Sequence, residues 1–179
     1  MTGQQNPEEL QSKAARICLL ALDVDGVLTD GSIYYGNSGE ELKAFNIRDG
    51  LGIKLLQRAG ISVVIITGRQ SEIVARRARE LGITDVVQGR EDKRTALLEI
   101  CSARGIAVEA CAYMGDDLPD LGAIMDAGLG LTVAGAAGPV AAAADWQSEL
   151  PGGGGAVREA CEFILSARGE LAAMEAQYR

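Results

Sequence analysis

Short apolar runs recur along this chain, most of them closed by a carboxylate, a threonine or a glycine, and longer mixed stretches separate them. Runs of this kind, bounded by turn residues, read as strands buried on both faces. They fall at 16–22, 61–66, 86–87, 110–114 and 129–133. The stretches between them predict helices at 51–58, closed by Gly60, at 72–81, with Ser71 as N-cap and Gly82 as stop, and at 93–103, ended near Gly105. A short helix opens at Pro119 and closes at Gly128, and another covers 139–144. Strand alternating with helix predicts an α/β fold: a Rossmann-like, doubly wound parallel sheet with right-handed crossovers.

Two segments depart from the alternation. Residues 32–45 place a glycine-rich turn, Gly36-Asn37-Ser38-Gly39, between two short extended stretches, which predicts a β-hairpin with little apolar surface of its own. A polar loop, 46–50, follows it. Later, Pro151-Gly152-Gly153-Gly154-Gly155 precedes a last helix at 156–167 and a polar end. The organisation expected is a flexible N-terminal tail over 1–14, a core over 15–150 carrying the hairpin, and a glycine-rich segment with a C-terminal helix over 151–179.

Composition narrows the chemistry. The chain has 179 residues, 47% of them hydrophobic, which suits one ordered domain rather than a disordered one. Aromatics are only 4%, so Ala, Val, Leu and Ile must fill the core. A net charge of -8 argues against nucleic acid and anionic membrane surfaces as partners. With no histidine, Ser-His-Asp and Cys-His catalysis are excluded, and so are most zinc and iron sites. The four cysteines are far apart and form no CxxC pair, and Cys18 and Cys111 sit in apolar runs as small core residues. No leader-like or bilayer-length apolar segment is present, so the cytoplasm is the expected compartment.

The strand ends carry the chemistry. Leu19-Leu20-Ala21-Leu22 delivers Asp23-Val24-Asp25-Gly26, two carboxylates one residue apart. Thr67 ends the second run, Lys93 opens a helix, and Gly115-Asp116-Asp117 ends the fourth run. In an open α/β sheet these ends share one edge, where ligands bind. Each feature alone has a plainer reading, as an Asx turn, a solvated lysine or an N-cap pair. Together, three carboxylates without histidine favour a hard cation with oxygen ligands, and Mg²⁺ is the usual choice when phosphate is the partner.

Asp23-Val24-Asp25-Gly26-Val27-Leu28, Thr67-Gly68-Arg69, Lys93 and Gly115-Asp116-Asp117-x-x-Asp120 resemble, in order and placement, the four motifs of the haloacid dehalogenase-like phosphatases. The resemblance implies Asp23 as nucleophile forming an aspartyl-phosphate, Asp25 as general acid and then base, Thr67 as hydrogen-bond donor to the phosphoryl oxygens, and Lys93 as the neutralising charge. It implies Mg²⁺ held by Asp23, Asp116 and the backbone carbonyl of Asp25. Asp117 is left as a ligand through water, and Asp120 as an orienting or capping residue. Dehalogenases of the family lack the second aspartate, so Asp25 disfavours them. Only the hairpin lies between Asp25 and Thr67, and only a helix and a short strand lie between Thr67 and Lys93, so no cap domain is expected.

Gly39 to Gly50 and the Gly152–Glu159 tail are also similar to the branch acting on 3-deoxy-D-manno-octulosonate 8-phosphate in lipopolysaccharide synthesis. That likeness implies a phosphosugar-acid substrate contacted by Asp25, Asn46, Ile47, Arg48, Asp49, Gly50, Lys54, Arg69, Arg77 and Lys93. It also implies a homotetramer in which hairpins associate and neighbours complete each site. Lys54 and Arg77 read equally well as solvated charges on amphipathic helices, and Arg158 as a tail residue in a site or in solvent. The rival readings are a phosphatase for a nine-carbon ulosonate 9-phosphate, and a non-catalytic assembly module of the same fold.

Overall fold

The computed structural model describes residues 6–179. Six parallel strands form the central sheet: β1 (Leu19–Leu22), β4 (Ser62–Ile66), β5 (Val86–Val87), β6 (Cys111–Gly115), β7 (Leu129–Ala134) and β8 (Trp146–Pro151). A separate antiparallel hairpin pairs β2 (Tyr34–Tyr35) with β3 (Glu41–Leu42). The sheet order is β5-β4-β1-β6-β7-β8. β1 therefore lies in the middle, with Leu22 level with Ile65 on one side and Met114 on the other. That register brings the residues following β1, β4 and β6 to one edge.

All four β1 side chains are fully buried, and their alternation divides them between two cores. Leu20 and Leu22 pack beneath α1 (Pro7–Ala15), α2 (Ile47–Arg58), α3 (Glu72–Leu81) and α7 (Ala156–Ala167). Leu19 and Ala21 pack beneath α4 (Lys93–Arg104), α5 (Leu121–Asp126) and α6 (Gly138–Ala143). Each such leucine contributes roughly 1.5–3 kcal/mol by leaving water. A last short helix, α8 (Leu171–Ala176), follows α7. The helix stops expected at Gly82 and Gly105 are left-handed C-caps, with φ of 72° and 63°.

The structure differs from the sequence reading in four places. The first strand begins at Leu19 rather than residue 16, because α1 runs to Ala15, where a tail was expected over 1–14. Ala14 is fully buried, and Lys13 pairs with Asp145 at 2.8 Å, which fastens that helix to the core; residues 1–5 lie outside those described. The loop expected over 46–50 is the cap and first turn of α2: Asn46 Oδ1 accepts from the Arg48 N–H at 2.8 Å. β8 carries no continuous apolar run, since Trp-Gln-Ser-Glu-Leu-Pro is an edge strand with one face wet. Finally, α7 is a core helix, with six buried residues, rather than an appendage.

The glycine run before α7 has a packing role. Gly153 donates its N–H to Val27 O at 3.0 Å, and a Cβ on Gly152 would overlap the carbonyl of Gly26. Only glycine lets this segment pass so close beneath the turn after β1.

Candidate active site

Asp23 leaves β1 with its N–H bonded to Met114 O at 3.0 Å, so its side chain emerges at the sheet edge. The turn beyond is held by Val24 O, which accepts from Val27, Leu28 and Thr29. Gly26 adopts φ 95° there, and a Cβ on it would collide with the Asp116 carboxylate. The backbone following Asp25 thus lies directly against Asp116. Thr67 is tied to Val87 O at 2.9 Å, and Lys93 is the first residue of α4, behind the Asp92 N-cap.

These elements converge on a cavity of about 580 Å³ lined by Asp23, Asp25, Thr67, Arg69, Lys93 and Asp116 among others. Lys93, 5% exposed, places Nζ 2.9 Å from Asp23 Oδ1 and 2.6 Å from Asp120 Oδ1. Burial disfavours its charge, but Asp23 and Asp120 outweigh that and raise its pKa. Asp120 is saturated: Oδ1 also accepts from the Tyr113 hydroxyl at 2.7 Å, and Oδ2 accepts from the backbone of Asp116 and Asp117 at 3.1 and 3.2 Å. Burial, then the Asp120 charge, pushes the Asp23 carboxyl up to about 7 despite Lys93. The same two causes raise Asp116 to about 6.

The donor set fits a hard cation. Oxygens of Asp23, Asp116 and Asp120 lie within 4.8 Å of one another. Those of Asp120 are already engaged, whereas Asp116 Oδ1 is buried without a hydrogen-bond partner. Two carboxylates raised by burial and by the Asp120 charge, one with an orphaned oxygen, suit a divalent ion with oxygen ligands.

The other expected substrate residues divide. Arg69 lines the cavity and donates to the Tyr35 hydroxyl at 3.0 Å. Asn46, Ile47, Arg48, Asp49, Gly50, Lys54 and Arg77 are outside it. Asn46 Nδ2 donates to Gly153 O at 3.1 Å, and Ile47 is 84% exposed. Ile47, Gly50, Lys54 and Arg77 border a second hollow, of about 230 Å³, between α2 and α3. Asp49 has a partner within the chain. Its carboxylate is buried and accepts from the Arg158 N–H at 2.8 Å, capping the first turn of α7 from another helix. Burial raises its pKa against that bond.

Two residues were missed in the sequence. Tyr113 reads as an aromatic core residue, and nothing in the pattern marks its hydroxyl. Lys43 stands in a polar alternation typical of a solvated strand. Yet its side chain is fully buried, and Nζ donates to Asp25 Oδ1.

Residues 48–128 match the family model of the haloacid dehalogenase-like hydrolases. The 3-deoxy-D-manno-octulosonate 8-phosphate phosphatase KdsC of Escherichia coli is 48% identical over 160 residues, 89% of this chain and 85% of the relative. This chain belongs to the haloacid dehalogenase-like hydrolase family. The Yersinia pestis KdsC is 46% identical over 92% of this hydrolase and 88% of its own length. Among solved structures, the 3-deoxy-D-manno-octulosonate 8-phosphate phosphatase of Moraxella catarrhalis, in complex with magnesium, phosphate and KDO, superposes with a TM-score of 0.96. It is 46% identical, and the match covers 97% of the hydrolase and 100% of that chain.

Proposed function

We propose that this hydrolase removes phosphate from 3-deoxy-D-manno-octulosonate 8-phosphate, releasing KDO in the supply of lipopolysaccharide. The single observation that carries the reading is the likeness, across nearly the full chain, to the Moraxella enzyme in complex with magnesium, phosphate and KDO. The buried aspartate, ammonium and threonine converging on the cavity support the chemistry.

An Asp23 oxygen attacks phosphorus, forming one P–O bond as the bond to the sugar oxygen breaks. Asp25 gives its proton to the departing sugar oxygen, then takes one from water as that water attacks the aspartyl-phosphate; phosphate leaves and Asp23 is regenerated. Lys93, held by Asp120, balances the negative charge gathered on Asp23 and the phosphoryl group, and the Thr67 hydroxyl donates to a phosphoryl oxygen. Mg²⁺, held by Asp23, Asp116 and the Asp25 carbonyl, supplies electrostatic screening between carboxylate and phosphate when bound. Arg69 offers a planar donor set to the sugar carboxylate.

The hydrolase would work in the cytoplasm as a homotetramer. No helix among the described residues is long and apolar enough to cross a membrane. Tyr34, Tyr35, Leu42 and Ile47 are exposed apolar residues on and beside the hairpin, and their burial would favour association. The α2–α3 hollow with Lys54 and Arg77, whose lining shares no residue with the chain's own cavity, would then serve a neighbour's substrate, together with Asn46, Ile47, Arg48, Asp49 and Gly50.

A panel of sugar phosphates tests the substrate. The eight-carbon ulosonate 8-phosphate should give the highest kcat/KM, and EDTA should silence turnover until Mg²⁺ is returned. A nine-carbon ulosonate 9-phosphate as the better substrate would transfer the assignment to that sugar, and no turnover of any phosphate ester would leave an assembly module.

A further inference from the structure

Asp25 has one hydrogen-bonding side chain beside it among the described residues, and that side chain comes from the hairpin. Lys43 follows β3, and its whole side chain is buried although Leu42 and Ala44 on either side are exposed. A buried ammonium is costly unless it is paired, so a solvated strand lysine would not be drawn inward without a specific partner. Its partner is Asp25 Oδ1, with the Asp25 side chain 21% exposed toward the cavity. Apart from Phe45, which packs against the core, the hairpin is held by polar links, Arg69 to Tyr35 at 3.0 Å and Arg69 to Glu41 at 3.9 Å, because strands of two residues carry almost no core.

We infer that Lys43 is the positioning residue for Asp25: it holds Oδ1, and so turns Oδ2 toward the oxygen of the departing sugar. This inference rests on the phosphatase reading above. The hairpin then does for the second aspartate what α4 does for the first, where Lys93 holds Asp23. Each carboxylate is paired with an ammonium from a different element.

The consequence appears in one step. A sugar alkoxide needs its proton as the P–O bond breaks, whereas 4-nitrophenolate leaves without one. The quantity kcat/KM ends at formation of the aspartyl-phosphate, so hydrolysis of that intermediate does not enter it. For Lys43→Met, the ratio of kcat/KM on the eight-carbon ulosonate 8-phosphate to that on 4-nitrophenyl phosphate should fall by about 10²-fold, the scale of a lost general acid. Lys43→Arg, which keeps a cation, should recover part of the ratio. Equal losses on both substrates would make Lys43 a structural residue, a rise confined to KM for the sugar would make it a substrate ligand, and an unchanged ratio would remove any role; each overturns the inference. Wild-type turnover of the sugar phosphate is measured first, so failure of the phosphatase reading is seen separately. Should the variants fail to fold, a wild-type crystal with Mg²⁺ and a phosphate mimic decides: Lys43 Nζ stays within hydrogen-bonding distance of the Asp25 carboxylate, and its withdrawal to solvent would refute the inference.

Discussion

Asp23 is 5% exposed and lies between an ammonium and the field of a second carboxylate, and its pKa of about 7 compares with 3.8 for a free side chain. Between those values the folded protein holds a proton that the unfolded chain has released. Without metal, this group therefore costs stability as pH rises from about 4 to about 7, and Asp116 adds the same sign. In EDTA, the Tm of Asp23→Asn relative to wild type should climb across that window, by an amount on the order of 2–4 kcal/mol when converted to free energy. Turnover should be abolished in the same variant; retained activity would exclude the covalent mechanism. Mg²⁺, binding the folded ionised site, should raise the wild-type Tm more at about pH 7.5 than at about pH 5. Asp120 shows the other use of a buried carboxylate, since both its oxygens are engaged by Lys93, Tyr113 and two backbone N–H groups. Asp120→Ala should lower unfolding free energy in urea by roughly 3–5 kcal/mol, because it breaks a buried ion pair and strands its donors.

Elements meet beneath the site through two contacts that local sequence does not announce. Gly152 passes against the carbonyl of Gly26, and the obstacle is backbone, which cannot rotate aside as a side chain would. Gly152→Ala should cost about 1–3 kcal/mol by overpacking and lower kcat by displacing the Asp25 turn. Stability by urea titration and steady-state kinetics would check the two effects. Asp49 joins α2 to α7 by accepting from the Arg158 N–H. Asp49→Ala should cost about 1–2 kcal/mol, as loss of an N-cap does, and a neutral result would show that the buried acid contributes nothing net. Legibility followed the same division. The stops at Gly82 and Gly105 were readable because a left-handed cap is a local requirement. The start of α2 at Ile47 was not, because the bond that ties its first turn to α7, from the Arg158 N–H to Asp49, joins residues more than a hundred positions apart. β8 was invisible as an edge strand in which Gln147 and Glu149 face water and break the apolar run.

At the scale of the molecule, no cap domain is present among the described residues, which leaves the hairpin and whatever packs on it to close the cavity. Leu42→Glu with Tyr34→Glu, at two exposed residues paired across the hairpin, should yield a smaller species in sedimentation and weaker turnover of the sugar phosphate; a stable, fully active wild-type monomer would end the tetramer proposal. The order of strands and helices, and the gathering of Asp23, Asp25, Thr67, Lys93 and Asp116 at one edge of the sheet, were legible in the sequence itself. Periodicity, glycine stops and motif order are local properties, and an alternating sheet brings its strand ends together wherever its helices go. Only the tertiary structure decided the partners of those residues. It put Asp120 and Tyr113 behind Lys93, set Arg69 against the hairpin, turned Asp49 away to cap α7, and buried Lys43 on Asp25. A side chain's partner depends on which elements cross in space and on the cost of leaving a buried charge alone, and neither is written in the residues beside it.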